Sequence, residues 1–225
     1  MRASEADIVK YGESTFDILY LIFAIISGVV LLRKARNRNE KTMGIAALIL
    51  GCGDAFHLIP RVLNYFVTGV DFTAALGVGK LVTSITMTIF YVLMYYIAIG
   101  YWHRPEDKRM TCAVWVLTAA RVILCLFPQN GWLTNDSSME WGIIRNVPFV
   151  LLGVLIVVQY YRESKTPSRF RWVWLLVTLS FLFYLPVAVG AGIVPMLGML
   201  MLPKTICYIW LIALFHGAVS KDPAR

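Results

Sequence analysis

Charged residues are scarce in this sequence of 225 residues, where Asp, Glu, Lys and Arg together make up only 15%. A soluble globular domain carries about 25% charged and about 45–50% apolar residues, whereas 59% of this chain is hydrophobic. These proportions exclude a water-soluble enzyme and a disordered chain. The net charge of +8 does not indicate a nucleic-acid partner, because the basic residues concentrate in short loops between apolar runs.

Histidine and cysteine are also rare, with three and four residues respectively. A catalytic zinc ion normally needs three protein ligands, and only His57 lies deep within an apolar run, since His103 and His216 lie near run ends. An intramembrane lipid hydrolase is therefore a minor alternative, and we predict no catalytic residue. All four cysteines fall within predicted helices, so we expect free thiols.

Seven long apolar runs account for most of the chain. A membrane-spanning helix needs about 20 apolar residues, and each run approaches or exceeds that length. The runs predict an all-α, seven-helix transmembrane bundle that forms a single domain over residues 1–225. Ser14 and Asp17 have the spacing of a capping box at the start of the first helix. The predicted helices are Thr15–Leu32, Met43–Phe66, Ala74–Trp102, Met110–Phe127, Trp141–Tyr161, Phe170–Gly190 and Pro195–Phe215.

The loops between these helices differ in their basic residues. Lys and Arg concentrate in the connections after helices one, three and five and in the tail with Lys221 and Arg225, while the alternate connections contain none. Those alternate connections are Val67–Thr73, Pro128–Glu140 and Ala191–Val194. Because cytoplasmic loops carry the excess of Lys and Arg, we expect a multi-pass plasma-membrane protein with its N-terminus outside and its C-terminus in the cytoplasm.

Ionisable residues inside the apolar runs are the main functional signal, because each is costly in hydrocarbon. Asp54 and His57 share one face of helix two with Arg61. At about 1.5 Å of rise per residue, Asp54, Arg121 and Lys204 lie roughly 17 Å from the cytoplasmic ends of their helices, and the other charges lie further out. The inner half is almost purely apolar. This distribution predicts a pocket that is open to the outside and closed below.

The charges predicted in this pocket do not balance. Asp54 is the one carboxylate expected at mid-depth, opposite several cations, and we expect it within salt-bridge reach of Lys204 or Arg121. Unpaired buried cations are costly, and arginine does not readily lose its proton, so an anionic ligand would complete the site. The predicted ligand-binding residues are Asp54, His57, Arg121, Arg145, Lys204 and Tyr184, with Thr83 and Tyr208 as further lining residues.

We favour a sensor- or receptor-like protein that binds an anionic small molecule or lipid head group. A small organic-anion transporter is the first alternative, because two segments hint at a parallel repeat of three helices about a central one. One segment is Phe56-His57-Leu58-Ile59-Pro60 followed by Lys80, and the other is Phe183-Tyr184-Leu185-Pro186 followed by Lys204. A purely structural role for the charged cluster is also open at this stage.

A retinal photoreceptor is a further alternative. Lys204 at mid-depth in the last helix, with the Phe181, Tyr184 and Pro186 series in helix six, resembles the plan of microbial rhodopsins. That resemblance implies retinal bound to Lys204 as a Schiff base. Helix three lacks the carboxylate counterion of those proteins, so Asp54 would have to serve from helix two.

Overall fold

The computed structural model describes residues 2–134, 138–190 and 194–220, and this part consists of helices and their connections, without a strand. Seven helices are long and apolar enough to cross a membrane, which confirms the predicted number and indicates a membrane-embedded, multi-pass protein. The basic tail residues Lys221 and Arg225 and most of the connection Ala191–Val194 lie outside the described residues. The α-helices are α1 (Arg2–Lys34), α2 (Arg38–Phe66), α3 (Thr73–Tyr101), α4 (Lys108–Leu126), α5 (Met139–Glu163), α6 (Val173–Gly190) and α7 (Met201–Ser220).

Helix α1 begins 13 residues before its predicted start, at Arg2 rather than Thr15. The capping-box interpretation is therefore wrong, since Ser14 and Asp17 are buried within the helix and Ser14 Oγ has no hydrogen-bond partner. The preceding segment contains Ala, Glu and Lys, which favour helix, and no proline. A side-chain N-cap starts α2, where Asn37 Oδ1 accepts from Glu40 N at 2.9 Å, and the Glu40 carboxylate accepts at 2.7 Å from the N–H of Arg36, one residue before the cap.

The first part of the predicted seventh helix is a 3-10 helix, Pro195–Leu200, and α7 starts only at Met201. Pro203 consequently falls in the first turn of α7, where the missing N–H of proline removes no intrahelical hydrogen bond. Lys204 follows it directly, so this side chain also starts from the first turn. Two further 3-10 helices, Pro128–Asn130 and Arg169–Trp172, precede α5 and α6.

The core is concentrated in one half of the bundle, at the end where α1 joins α2 and α3 joins α4. Large apolar and aromatic side chains from at least five helices are fully buried there, and the Tyr160 hydroxyl donates to the Met94 carbonyl at 3.0 Å. This packing agrees with the apolar inner half expected from the sequence. Its members include Leu31, Met43, Leu50, Met94, Ile97, Val114, Ile156, Tyr160, Phe170, Leu211 and Phe215.

Glycines bring α2 and α3 into close contact beside the charged residues. A Cβ atom added at Gly79 would overlap the backbone of Phe56 and lie 2.8 Å from the Cα atom of His57. One turn further along, Thr83 Oγ1 of α3 donates to the Gly53 carbonyl of α2 at 3.0 Å. The close approach fixes the position of His57 relative to the polar face of α3.

We expect Gly79→Val to destabilise the protein by about 1–3 kcal/mol, because overpacking at a backbone contact forces the helices apart. Thermal unfolding in a non-ionic detergent measures the effect. Gly12→Val is the matched control, because no atom lies within 4 Å of a Cβ built there. Equal melting temperatures for the two variants would contradict the close packing of α2 and α3.

Candidate functional site

A cavity of about 730 Å³ opens in the half of the bundle opposite the packed core. It lies where α2 ends and α3 begins, between these helices and α4 to α7. Five of the six predicted ligand-binding residues line it, and the predicted lining residues Thr83 and Tyr208 do so as well. The five are His57, Arg121, Arg145, Tyr184 and Lys204. We refer to it below as the basic cavity.

The lining of the basic cavity is strongly asymmetric in charge. The described part of the chain contributes no Asp or Glu side chain to it. The Arg61 guanidinium lies 2.8 Å from the carboxylate of Glu13, a residue that does not line the cavity. The basic lining residues are His57, Arg61, Lys80, Arg121, Arg145 and Lys204.

Arg121 is the most deeply buried of these cations, with 1% of the residue exposed. Its Nη1 donates to the Arg145 carbonyl, its Cζ lies 5.0 Å from the centroid of the Phe149 ring, and its Nε has no hydrogen-bond partner. Within the described residues, no carboxylate lies within ion-pair distance of this guanidinium. The fold therefore holds an arginine at the cavity wall with hydrogen-bonding capacity that the protein leaves unused.

Lys204 lies at the floor of the basic cavity and is 7% exposed. Its Nζ is 5.3 Å from the centroid of the Tyr184 ring and 5.5 Å from that of Tyr208. Both rings are held in place, since the Tyr184 hydroxyl donates to Asn146 Oδ1 at 2.8 Å and the Tyr208 and Tyr91 hydroxyls are 3.2 Å apart. Cation–π attraction of this kind stabilises the ammonium group in its position above the two aromatic rings.

Asp54 does not line the basic cavity. Its Oδ2 accepts a hydrogen bond from the Tyr20 hydroxyl at 2.7 Å, and no ion pair joins it to Lys204 or Arg121. The predicted ion pair does not form at 4.0 Å or less, because Tyr20 of α1 supplies the carboxylate with its donor and Lys204 lies over the tyrosine rings. The charges of Asp54 and Lys204 nevertheless interact across a cavity that both residues line. Asp54 faces a separate cavity of about 40 Å³, which His57 and Lys204 also line.

The small cavity also contains carboxylates that the sequence did not bring into the site. Glu13 and Asp17 of α1 line it beside Asp54. Their spacing of four residues places both on one face of α1. The predicted helix began at Thr15 and so left Glu13 outside it, whereas α1 includes both residues. His57, Arg61 and Lys204 line both cavities, so three carboxylates lie next to the basic cavity without lining it.

The loop between α4 and α5 forms one wall of the basic cavity. Asn130 Nδ2 donates to the Phe127 carbonyl at 2.8 Å, and its Oδ1 accepts from Arg145 Nη1 at 2.8 Å. Trp132 Nε1 donates to the Cys125 carbonyl at 2.7 Å, and its ring lies 4.5 Å from Arg145 Cζ. These bonds satisfy carbonyls at the end of α4 and fix both the loop and Arg145. Asn130 and Trp132 were missed because they lie outside the apolar runs.

The fold and this cavity define a helical, multi-pass membrane protein with a buried basic site. No known protein family, curated protein or solved structure matches the chain. Across residues 2–134, 138–190 and 194–220, no group of three or more His, Cys, Asp or Glu side chains is arranged to hold a metal ion. The lipid-hydrolase alternative therefore has no metal-ligand cluster to build on in that part of the chain.

Proposed function

We propose that the basic cavity binds an anionic small molecule or lipid head group, and that the protein is a sensor- or receptor-like binding protein of the plasma membrane. The observation that carries the proposal is Arg121, a buried guanidinium at the cavity wall without a carboxylate partner among the described residues. A buried charge without a partner is costly. Arginine stays protonated and presents paired donors that fit a carboxylate or phosphate.

The packed half of the bundle supports binding from one side, because it leaves the basic cavity without an exit at that end. The core beyond Tyr91 and Tyr208 is filled with buried apolar side chains. The organic-anion transporter alternative would need a second conformation that opens this layer. Uptake of a stabilising anion into proteoliposomes would favour that alternative, whereas binding without uptake supports the receptor-like function.

The photoreceptor alternative requires a carboxylate counterion beside Lys204. Among the residues that the structure describes, none is within ion-pair distance of its Nζ, and the Asp54 carboxylate is hydrogen-bonded to Tyr20. The geometry of Lys204 therefore supports attraction of an external anion better than a protonated Schiff base. We therefore favour anion binding over retinal attachment as the role of Lys204.

The direct test compares Arg121→Gln with Arg61→Gln in thermal-shift screens of anionic metabolites and lipids. We expect an anion that stabilises the wild type to lose about 30-fold or more in affinity with Arg121→Gln, since truncating a buried charged partner costs about 2–5 kcal/mol. Arg61→Gln should change the affinity much less, because Glu13 already neutralises Arg61. The proposal fails if no anion stabilises the wild type or if both variants respond alike.

The proposal includes an orientation in which the basic cavity opens to the outside. We expect a membrane-impermeant maleimide to label Val70→Cys in intact cells and Glu106→Cys only after permeabilisation, because basic loops stay in the cytoplasm. Both positions are exposed, in loops at opposite ends of the bundle. The exposed native Cys52 and Cys112 are first replaced by alanine. The reverse labelling pattern would place the cavity on the cytoplasmic side.

A further inference from the structure

The two sides of the basic cavity differ in chemistry. Helices α2, α3 and α4 contribute its polar side, which carries His57, Arg61, Lys80, Thr83, Ser84 and Arg121. Helix α6 contributes no charged residue. Above Ser180 its lining side chains are aromatic or aliphatic, namely Phe181, Tyr184, Val187, Ala188 and Val189. Arg145 of α5 and Lys204 of α7 also line the cavity, so a ligand that fills this volume would meet cations from the other helices and an apolar wall along α6.

The apolar side continues to the protein surface between α5 and α6. Met139 and Val189 line the cavity and are also 51% and 39% exposed. One turn into α5, a Cβ atom at Gly142 would have only the Ala188 carbonyl within 4 Å, at 3.7 Å. These ends of α5 and α6 therefore leave room between them, and the described residues at the opening include Ser138 beside the apolar Met139 and Val189.

We infer that the ligand of the basic cavity is a single-chain anionic amphiphile. Its head group contacts Arg121 and Lys204, and its chain lies along α6 towards Met139 and Val189. The inference rests on the proposed anion-binding function and adds the apolar chain to it. A volume of about 730 Å³ is within the range of about 300–1,000 Å³ for sites that enclose drug-sized ligands. Fatty acids and lysophospholipids share this chemistry.

The apolar wall gives the chain a measurable contribution to binding. Each buried methylene group is worth about fourfold in affinity relative to water, and the α6 wall offers several side chains of contact. A small anion of the same charge would leave the apolar side chains of α6 exposed to water and would gain nothing from them. Chain length therefore distinguishes this inference from the simpler anion site.

The experiment uses the full-length protein in nanodiscs of neutral phosphatidylcholine and measures its melting temperature with added ligands. The probes are palmitate, palmitoyl lysophosphatidate, hexadecanol, acetate and inorganic phosphate. We expect palmitate or lysophosphatidate at about 100 times its Kd to raise the melting temperature by about 5–10 °C. All probes are compared at one concentration, at which the larger shift of the two identifies the head group. Acetate, phosphate and hexadecanol should give much smaller shifts.

A pair of glycine variants tests the path of the chain. We expect Gly142→Leu to weaken palmitate binding by about tenfold or more, because the new side chain takes the place of about two methylene groups. Gly12→Leu, where a Cβ meets no atom within 4 Å, should bind like the wild type. Val189→Trp at the rim provides a second obstruction if Gly142→Leu does not fold.

The outcomes separate the inference from the function on which it rests. Equal shifts with acetate or phosphate and with palmitate would overturn the amphiphile and leave the anion site standing. Equal shifts with hexadecanol and palmitate would overturn the anion site. No shift with any anion would overturn both, and unchanged palmitate binding in the obstructed variants would overturn the chain path along α6.

Discussion

Arg121→Met is expected to make the ligand-free protein more stable, by at most the roughly 1–4 kcal/mol found when apolar side chains of similar volume replace a buried ion pair. The melting temperature should rise by about 2–4 °C per kcal/mol for a chain of this size. The reason is that the described residues give the buried guanidinium no carboxylate partner, whereas methionine fits the surroundings of Phe149. The same variant should lose its stabilisation by anions, so stability and binding change in opposite directions.

Arg61→Met is the matched control for this prediction. Arg61 is paired with Glu13 at 2.8 Å, so its removal leaves a half-buried carboxylate without its partner and should lower the melting temperature. Thermal unfolding of both variants and the wild type, with and without a stabilising anion, measures the difference. A lower stability of ligand-free Arg121→Met would show that Arg121 is a structural residue with a partner of its own.

Tyr20→Phe is expected to destabilise the protein by about 1.5–3 kcal/mol, the usual contribution of a hydrogen bond to a charged group. The substitution removes the hydroxyl that donates to Asp54 Oδ2 at 2.7 Å and leaves the buried carboxylate without this donor. Asp54→Asn should cost less, because the amide oxygen of asparagine still accepts from Tyr20. Denaturant unfolding in a non-ionic detergent measures both variants.

Tyr65→Phe is the control, since the Tyr65 hydroxyl bonds to Glu13 at a longer 3.3 Å and in a less buried position. We expect a cost below about 1 kcal/mol for it. If Asp54 were instead the ion-pair partner of Lys204, Asp54→Asn would cost about 3–5 kcal/mol and exceed Tyr20→Phe. The order of the two variants therefore distinguishes the two surroundings of Asp54.

The sequence predicted the seven helices and several of the polar residues that line the cavity, because both depend on one strong physical effect. Hydrocarbon excludes charge, so apolar runs show the helices and each polar interruption shows a residue that the fold shields. Residues as far apart as His57 and Lys204 were grouped by depth alone, and they line the same cavity. Depth along a helix can be read from residue number, and it needs no knowledge of neighbouring helices.

The features that the sequence could not predict depend on the rotation of each helix about its axis and on local hydrogen bonds. Two residues at equal depth form an ion pair only if their helices turn them towards each other, and Asp54 instead faces Tyr20. The length of α1 was underestimated because its first residues are polar and a hydropathy criterion stops at the apolar boundary. Asn130 was missed for a related reason, since its role is to bond carbonyls at a helix end.

The closed half of the bundle has an electrical consequence in a polarised membrane. A recess filled with electrolyte carries little of the membrane potential, so most of the voltage falls across the packed layer beneath Lys204 and Tyr208. That layer is about half of a hydrocarbon core of about 30 Å, and the local field is about twice that in the surrounding lipid. Moving one elementary charge across the full potential changes its energy by about 2.3 kcal/mol per 100 mV. Across this layer, that change would occur over about half the thickness of the hydrocarbon core. In the proposed orientation, with the basic cavity open to the external solution and empty of ligand, the transmembrane field would fall mainly across this packed layer.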